Sequence, residues 1–183
     1  ADGGAIFLSV AAGKLISFYE DILGKTVVLV RAMPNMPAAI HQGITALCPN
    51  SNVQSSQRKL VGDLMAAIGE IAWLEEEGLM DAVTAVSGSG PAYVFLLIEG
   101  LTEAGIEVGL EGELARQFAK ATVAGAGAYA AQTEGDVAEL RQQVTSPGGT
   151  TAAALEILMA DDVFKSLLKQ AVRAATDRGH KLA

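Results

Sequence analysis

The hydrophobic pattern of this chain changes its period once, after Pro49, and that change limits the folds open to it. Before it, Ala5–Val10 and Val27–Arg31 are short, nearly unbroken apolar runs, as expected of strands buried on both faces of a parallel sheet. Between them Leu15–Leu23 has helical spacing (Leu15, Ile16, Tyr19, Ile22, Leu23), closed by Gly24-Lys25. Ile44–Cys48 reads as one more strand. Strand, helix, strand forms a right-handed crossover unit. It is too small to stand alone, because such a sheet needs neighbours and cover on both faces.

From Pro49 onward the spacing is helical. Ser51–Ser56 is a polar connection, and Gln57–Ile68 is amphipathic, with Leu60, Leu64 and Ala67/Ile68 on one side. Gly69–Leu74 reads as a short extended piece. Gly78–Val86 is predicted helical, Ser87–Gly90 interrupts it, and Pro91 opens a new helix to about Gly105 at a first-turn position that needs no backbone donor. Glu113–Ala131, Asp136–Val144, Thr151–Met159 and Val163–Lys181 complete an all-helical second part, so the fold class is mainly α. Gly125 and Gly127 inside a helix each cost about 1 kcal/mol against Ala. Two readings account for them: close approach of another helix, or a helix frayed at Gly125.

Apolar residues make up 50% of the chain, yet only 5% is aromatic and 19% charged. That surplus must enter a core or a partner subunit, and the partner is favoured. The run Ala92–Ile98 falls far short of the ~20 residues of a membrane span, so no membrane partner is expected, and no secretory leader is visible. A net charge of -8 argues against nucleic acid. Cys48 is the only cysteine and His41 and His180 the only histidines, which fits a reducing cytoplasm and no metal site.

The sharpest local feature is Val144-Thr145-Ser146-Pro147-Gly148-Gly149-Thr150-Thr151, followed at once by an Ala-rich helix. Paired glycines let a ligand approach the main chain, and the first amides of a helix have no internal partner. The turn therefore reads either as a site for a small carboxylate or as an ordinary turn with a Thr cap. Gly88-Ser89-Gly90 and Gly125-Ala126-Gly127 imitate a dinucleotide fingerprint, but neither follows a strand.

With Ala11-Ala12-Gly13, Arg31–Ala38 and Asp81–Tyr93, in that order, the Ser146–Thr151 segment resembles the pyrroline-5-carboxylate reductases across essentially the whole chain. The resemblance implies hydride transfer from NADPH or NADH to 1-pyrroline-5-carboxylate, giving L-proline in the last step of proline biosynthesis. It implies that residues 1–50 are the last strands of a Rossmann-type NAD(P)-binding domain. Residues 51–183 would be an all-helical dimerisation and substrate domain, pairing into a homodimer or a ring of dimers. Thr151 would serve the imine nitrogen as the catalytic hydroxyl, and Ser146, Gly149 and Thr150 would hold the carboxylate. Gln143 stands where the family often has Asn. Glu77 borders the same pocket by this resemblance, or is one of three solvated glutamates. Ala11, Ala12, Met33 and Asn35 would line the nicotinamide end, while Met36 replaces the family's usual Thr. No G-x-G-x-x-G follows a strand, so the chain is expected to begin inside the nucleotide domain, with Ala1–Gly4 an arbitrary start. That leaves open a catalytically inactive module that pairs and binds imino acids. Related β-hydroxyacid-type dehydrogenases use a helical lysine, and none lies near Ser87–Pro91.

Overall fold

In the computed structural model, which describes residues 5–182, the apolar runs pair into a four-stranded sheet. Its strands are β1 (Phe7–Ser9), β2 (Leu29–Met33), β3 (Gly43–Pro49) and β4 (Gly69–Trp73), in that spatial order. Ala1–Gly4, read above as an arbitrary start, lie outside the described residues. β1 and β2 are parallel across helix α1 (Ile16–Leu23), and β3 and β4 are parallel across α2 (Ser55–Ala66). The parallel expectation fails between β2 and β3, which run antiparallel with Arg31 opposite Cys48. The reason is length. Parallel neighbours need a crossover of about a dozen residues or more, and Pro34–Gln42 is too short. It reverses instead through the 3-10 turn Met36–Ile40, with His41 at φ 59.

Val30, Ala32 and Leu47 on one face of the sheet pack against Val61 and Met65 of α2. The apolar stripe expected on α2 was Leu60 and Leu64, yet both are 61% exposed. Two stripes on this helix are apolar, and only the contact with the sheet decides which is buried. The other face carries a second cluster, Ala46, Cys48 and Met80, with Met33 against it.

Pro91 lies in the first turn of a helix, as its lack of an N–H allows, and the turns before it are unusual. Helix α3 (Met80–Val83) runs into a π-helical segment, Thr84–Gly88, and a bend at Ser89 precedes α4 (Gly90–Glu107). A proline has no N–H to donate to the carbonyl four residues back, and the ladder widens here, the Ser89 amide reaching Thr84 O at 2.8 Å. The interruption expected at Ser87–Gly90 is the bend at Ser89, and the turns before it are widened. The helical run Glu77–Glu107 is long and apolar enough to cross a bilayer by length and composition, more than the run Ala92–Ile98 alone indicated.

The chain divides into two compact units, Ala1–Pro91 with Ala171–Ala183, and Ala92–Gln170. The α/β part therefore continues past residue 50, because Val30 and Leu47 need α2 as cover and β4 lies beyond it. The second unit is helical: most of α4, then α5 (Gly112–Gln132), α6 (Val137–Gln143), α7 (Thr150–Met159) and the first part of α8 (Val163–His180). Glu111 caps α5 by accepting from the amides of Glu113 and Leu114, and these bonds hold its carboxyl below the usual range. α5 runs unbroken through Gly125 and Gly127, so the frayed reading fails, and space beside both glycines is open. Among the described residues of this unit only Ala115 and Ala119 are buried. Gly105 meets Ala115 where α4 turns into α5.

Asn50 ties the end of the sheet together. Its Oδ1 accepts from Leu29 N at 3.2 Å, and its Nδ2 donates to Val27 O at 2.9 Å and to Glu20 at 3.0 Å. Asn50→Leu leaves the buried Leu29 amide without an acceptor, while Val27 O keeps its bond from Asn52 Nδ2 at 2.8 Å, and should lower stability by about 1–3 kcal/mol. Urea unfolding at fixed protein concentration measures this, and an unchanged midpoint would contradict it.

Candidate functional site

The residues singled out from the sequence fall into two groups, one in each unit. In the first unit Ala11, Ala12, Met33 and Asn35 follow or end the adjacent parallel strands β1 and β2 at their carboxyl ends. Ligands of open α/β sheets bind beyond that end of the strands. Ala11 and Ala12 are exposed and small, which leaves room for a flat ring beside the main chain. The Ser9 hydroxyl anchors this turn, hydrogen-bonded to the Tyr19 hydroxyl at 2.5 Å. Asn35 is fixed at both ends of its amide: Oδ1 accepts from Ile44 N at 3.0 Å, and Nδ2 donates to the Ser87 hydroxyl at 3.2 Å. Met33 packs with its methyl close to Gly88, where a Cβ would sit 3.0 Å away.

Glu77 belongs to this unit too, and its carboxylate is engaged by two protein partners. It is not a solvated glutamate. Its Oε1 accepts from the Ile16 amide at 2.7 Å and pairs with the guanidinium of Arg31. The Arg31 side chain is 6% exposed and that of Glu77 26%. A guanidinium buried on a strand requires such a partner, and Glu77 also satisfies an amide at the start of α1. Cys48, across the ladder from Arg31, is buried, and burial with the nearby Glu77 charge pushes its thiol up. Both effects disfavour the thiolate.

The second group sits between α6 and α7. Gln143 ends α6 and is exposed. Thr145 folds its hydroxyl back to Arg141 O at 2.6 Å, and the chain then turns through Ser146 and Pro147. Gly148 has φ +69, and a Cβ on Gly149 would collide with the Ser146 hydroxyl. Gly148 is therefore demanded by the turn, and a side chain at 149 would have to push the Ser146 hydroxyl aside. The Gly149 amide closes it on Ser146 O at 3.0 Å. Gly149, not a threonine, occupies the cap position of α7 and makes no side-chain cap bond. The first helical bond is Ala153 N to Gly149 O at 3.2 Å, and none among the described residues accepts from the Thr150, Thr151 or Ala152 amides. Three donors converge at the positive end of a helix with the half-buried Thr151 hydroxyl beside them. The ordinary Thr-capped turn is thereby excluded.

No group of histidine, cysteine or carboxylate side chains able to hold a metal occurs among the described residues. Arg31 and Ser87, which position Glu77 and Asn35, were not singled out from the sequence. The signal for Arg31 was there, since a charge ending an apolar strand needs a buried counter-charge.

These features define a class: a mainly helical domain preceded by the last strands of a Rossmann-type sheet, with an open helix end on the helical side. Residues 77–182 match the family described as pyrroline-5-carboxylate reductase dimerisation. The chain is 44% identical over 178 residues to the pyrroline-5-carboxylate reductase of Pseudomonas aeruginosa, and 40% identical over 194 residues to that of Mycobacterium tuberculosis. In each case 97% of the chain is matched, and it spans 65% of the relative's length. Among solved structures, the pyrroline-5-carboxylate reductase of Coxiella burnetii superposes with a TM-score of 0.93 at 40% identity, over 97% of this chain and 66% of the other. The Plasmodium falciparum pyrroline carboxylate reductase, solved with NADP bound, gives 0.87 at 34% identity, over 97% and 71%. The chain belongs to the pyrroline-5-carboxylate reductase family.

The Arg31–Glu77 pair yields a prediction of its own. Glu77→Ala strands a buried guanidinium and frees the Ile16 amide, at an expected cost of about 3 kcal/mol. Glu77→Gln keeps an acceptor for both and should lose roughly half as much. Variants that both unfold at the same denaturant concentration as the unsubstituted chain would mean that the pair holds nothing together.

Proposed function

We propose that the chain carries the substrate-binding and subunit-pairing part of an NAD(P)H-dependent reductase that converts 1-pyrroline-5-carboxylate to L-proline. The observation that carries this reading is the open end of α7, where the amides of Thr150, Thr151 and Ala152 lack acceptors beside a half-buried Thr151 hydroxyl. The relatives at 44% and 40% identity support it.

The substrate carboxylate fits the Ser146–Thr150 turn, because unpaired amides and the helix dipole favour an anion and the glycines let it reach the main chain. Ser146 and Gln143, both exposed, are placed to add bonds from its rim. Thr151 would hold the ring nitrogen, keeping the imine protonated and orienting its carbon for attack. Glu77 serves at one remove, since its carboxylate is engaged by Arg31 and Ile16. A bound dihydronicotinamide supplies the hydride. Ala11, Ala12, Met33 and Asn35 would hold its nicotinamide end, and the fit rests on the small exposed alanines and the fixed Asn35 amide. NADPH is the cofactor we assign, with NADH as the other donor of the same chemistry. The reduced, buried Cys48 accords with a cytoplasmic enzyme.

The partner is a second copy of the chain. Phe95, Leu96, Phe164 and Leu167 are exposed on the helical unit, as are the small residues of α5 at Ala124, Gly125 and Ala128. The same surface accounts for the apolar character of Glu77–Glu107 without a membrane.

Two measurements test the site. In the full-length protein, Thr151→Ala should lower kcat by about 10- to 1000-fold, the range of one positioned donor, while carboxylate binding weakens less. L-Proline should raise the melting temperature of this chain and pyrrolidine, which lacks the carboxylate, should not. Unchanged turnover would remove Thr151 from the mechanism, and equal protection by the two amines would reduce the turn to a structural element.

A further inference from the structure

The turn after β1, Ala11–Gly13, is held by a part of the chain far from it in sequence. Gly13 has φ +70, and a Cβ there would lie 3.0 Å from the Leu182 carbonyl oxygen and 3.3 Å from the Leu182 side chain. Leu182 is set by the end of α8, where its amide donates to Gly179 O at 2.9 Å. Gly179 lies flat on α3, and a Cβ there would sit 3.0 Å from the Asp81 carboxyl carbon. His180 Nε2 lies 3.4 Å from Asp81 Oδ2. Two glycines, remote in sequence, thus admit two close contacts of the end of α8, one with the turn at Gly13 and one with Asp81 of α3. Next to Gly13, the Ile16 amide is held by Glu77 at 2.7 Å. The turn carrying Ala11 and Ala12 is therefore braced on one side by Glu77 and on the other by the last turn of α8.

We propose that Gly179–Leu182 is a positioning element for the Ala11–Gly13 turn, which it clasps so that Ala11 and Ala12 present a fixed main chain to the nicotinamide. The structural half stands on the contacts alone, and the kinetic half rests on the function proposed above. A clasp of this kind stabilises a loop locally without forming part of the core. Its loss should act on cofactor binding and leave the imino-acid end untouched.

The test uses Gly179→Val, which overfills the contact with Asp81, and a chain ending at His180, which removes Leu182 without altering any helix interior. Hydrogen exchange across residues 11–16 is read in both. Expected is an acceleration of about 5- to 100-fold there, with exchange in α5 and α7 unchanged. In the full-length protein the KM for NADPH should rise about 3- to 10-fold while the KM for 1-pyrroline-5-carboxylate stays put, because the element braces only the cofactor side. Unchanged exchange at residues 11–16 in both variants overturns the clasp, whatever the activity. Faster exchange with an unchanged KM for NADPH overturns its part in positioning. Absence of turnover in the unsubstituted protein counts against the proposed reaction, and the exchange result then decides the clasp by itself. If Gly179→Val fails to fold, the chain ending at His180 gives the same readings.

Discussion

The helical unit cannot cover its own apolar surface, and most of the structure follows from that. Among its described residues only two alanines, Ala115 and Ala119, are buried, while Phe95, Leu96, Phe164 and Leu167 stand in solvent. Burial of apolar area is the main force available to hold helices together. A set of helices that buries two small side chains has almost none of it. Single helices of these lengths are marginal in water even with good propensity. The helices therefore need a second apolar surface, and a copy of the same unit offers one of matching character. Membership in a family described by its dimerisation points the same way. Gly125 and Gly127, each costly in a helix, are then intelligible as places where a second helix comes close.

The two clusters of candidate site residues are built by opposite means. At the sheet, polar groups are used up: Glu77 holds Arg31 and Ile16, and Asn35 holds Ile44 and Ser87. Such a site is stiff and small, suited to receiving a ring against the main chain. At the start of α7 the polar groups are left over. The turn spends its glycines on bringing Ser146 under the helix end, and the amides of Thr150, Thr151 and Ala152 stay without acceptors. Leaving several donors unpaired at a half-buried position is unfavourable unless water or an anion completes them. A carboxylate ligand does so with charge assistance.

Much of this was legible in the residues. The strands at Ala5–Val10, Val27–Arg31 and Ile44–Cys48 announce themselves by unbroken apolar runs, and each helix of the second unit by its spacing. The Pro-Gly-Gly-Thr-Thr turn is visible because those residues have few other uses together. Three features were hidden, for stated physical reasons. The antiparallel step from β2 to β3 depends on link length, not on the strands, whose composition suits either direction. The choice between Leu60/Leu64 and Val61/Met65 on α2 depends on which stripe the sheet meets. The role of Glu77 depends on Arg31, 46 residues away in sequence, and nothing local separates Glu77 from Glu75 and Glu76.

The central claim is that this chain is completed by a second copy of itself. Sedimentation equilibrium of the chain at micromolar concentration, combined with far-ultraviolet circular dichroism across a urea titration, tests it directly. The account predicts a species of twice 18.8 kDa that persists until helix is lost, with an unfolding midpoint that rises with protein concentration. A folded, monodisperse 18.8 kDa species, with a midpoint independent of concentration, would contradict it.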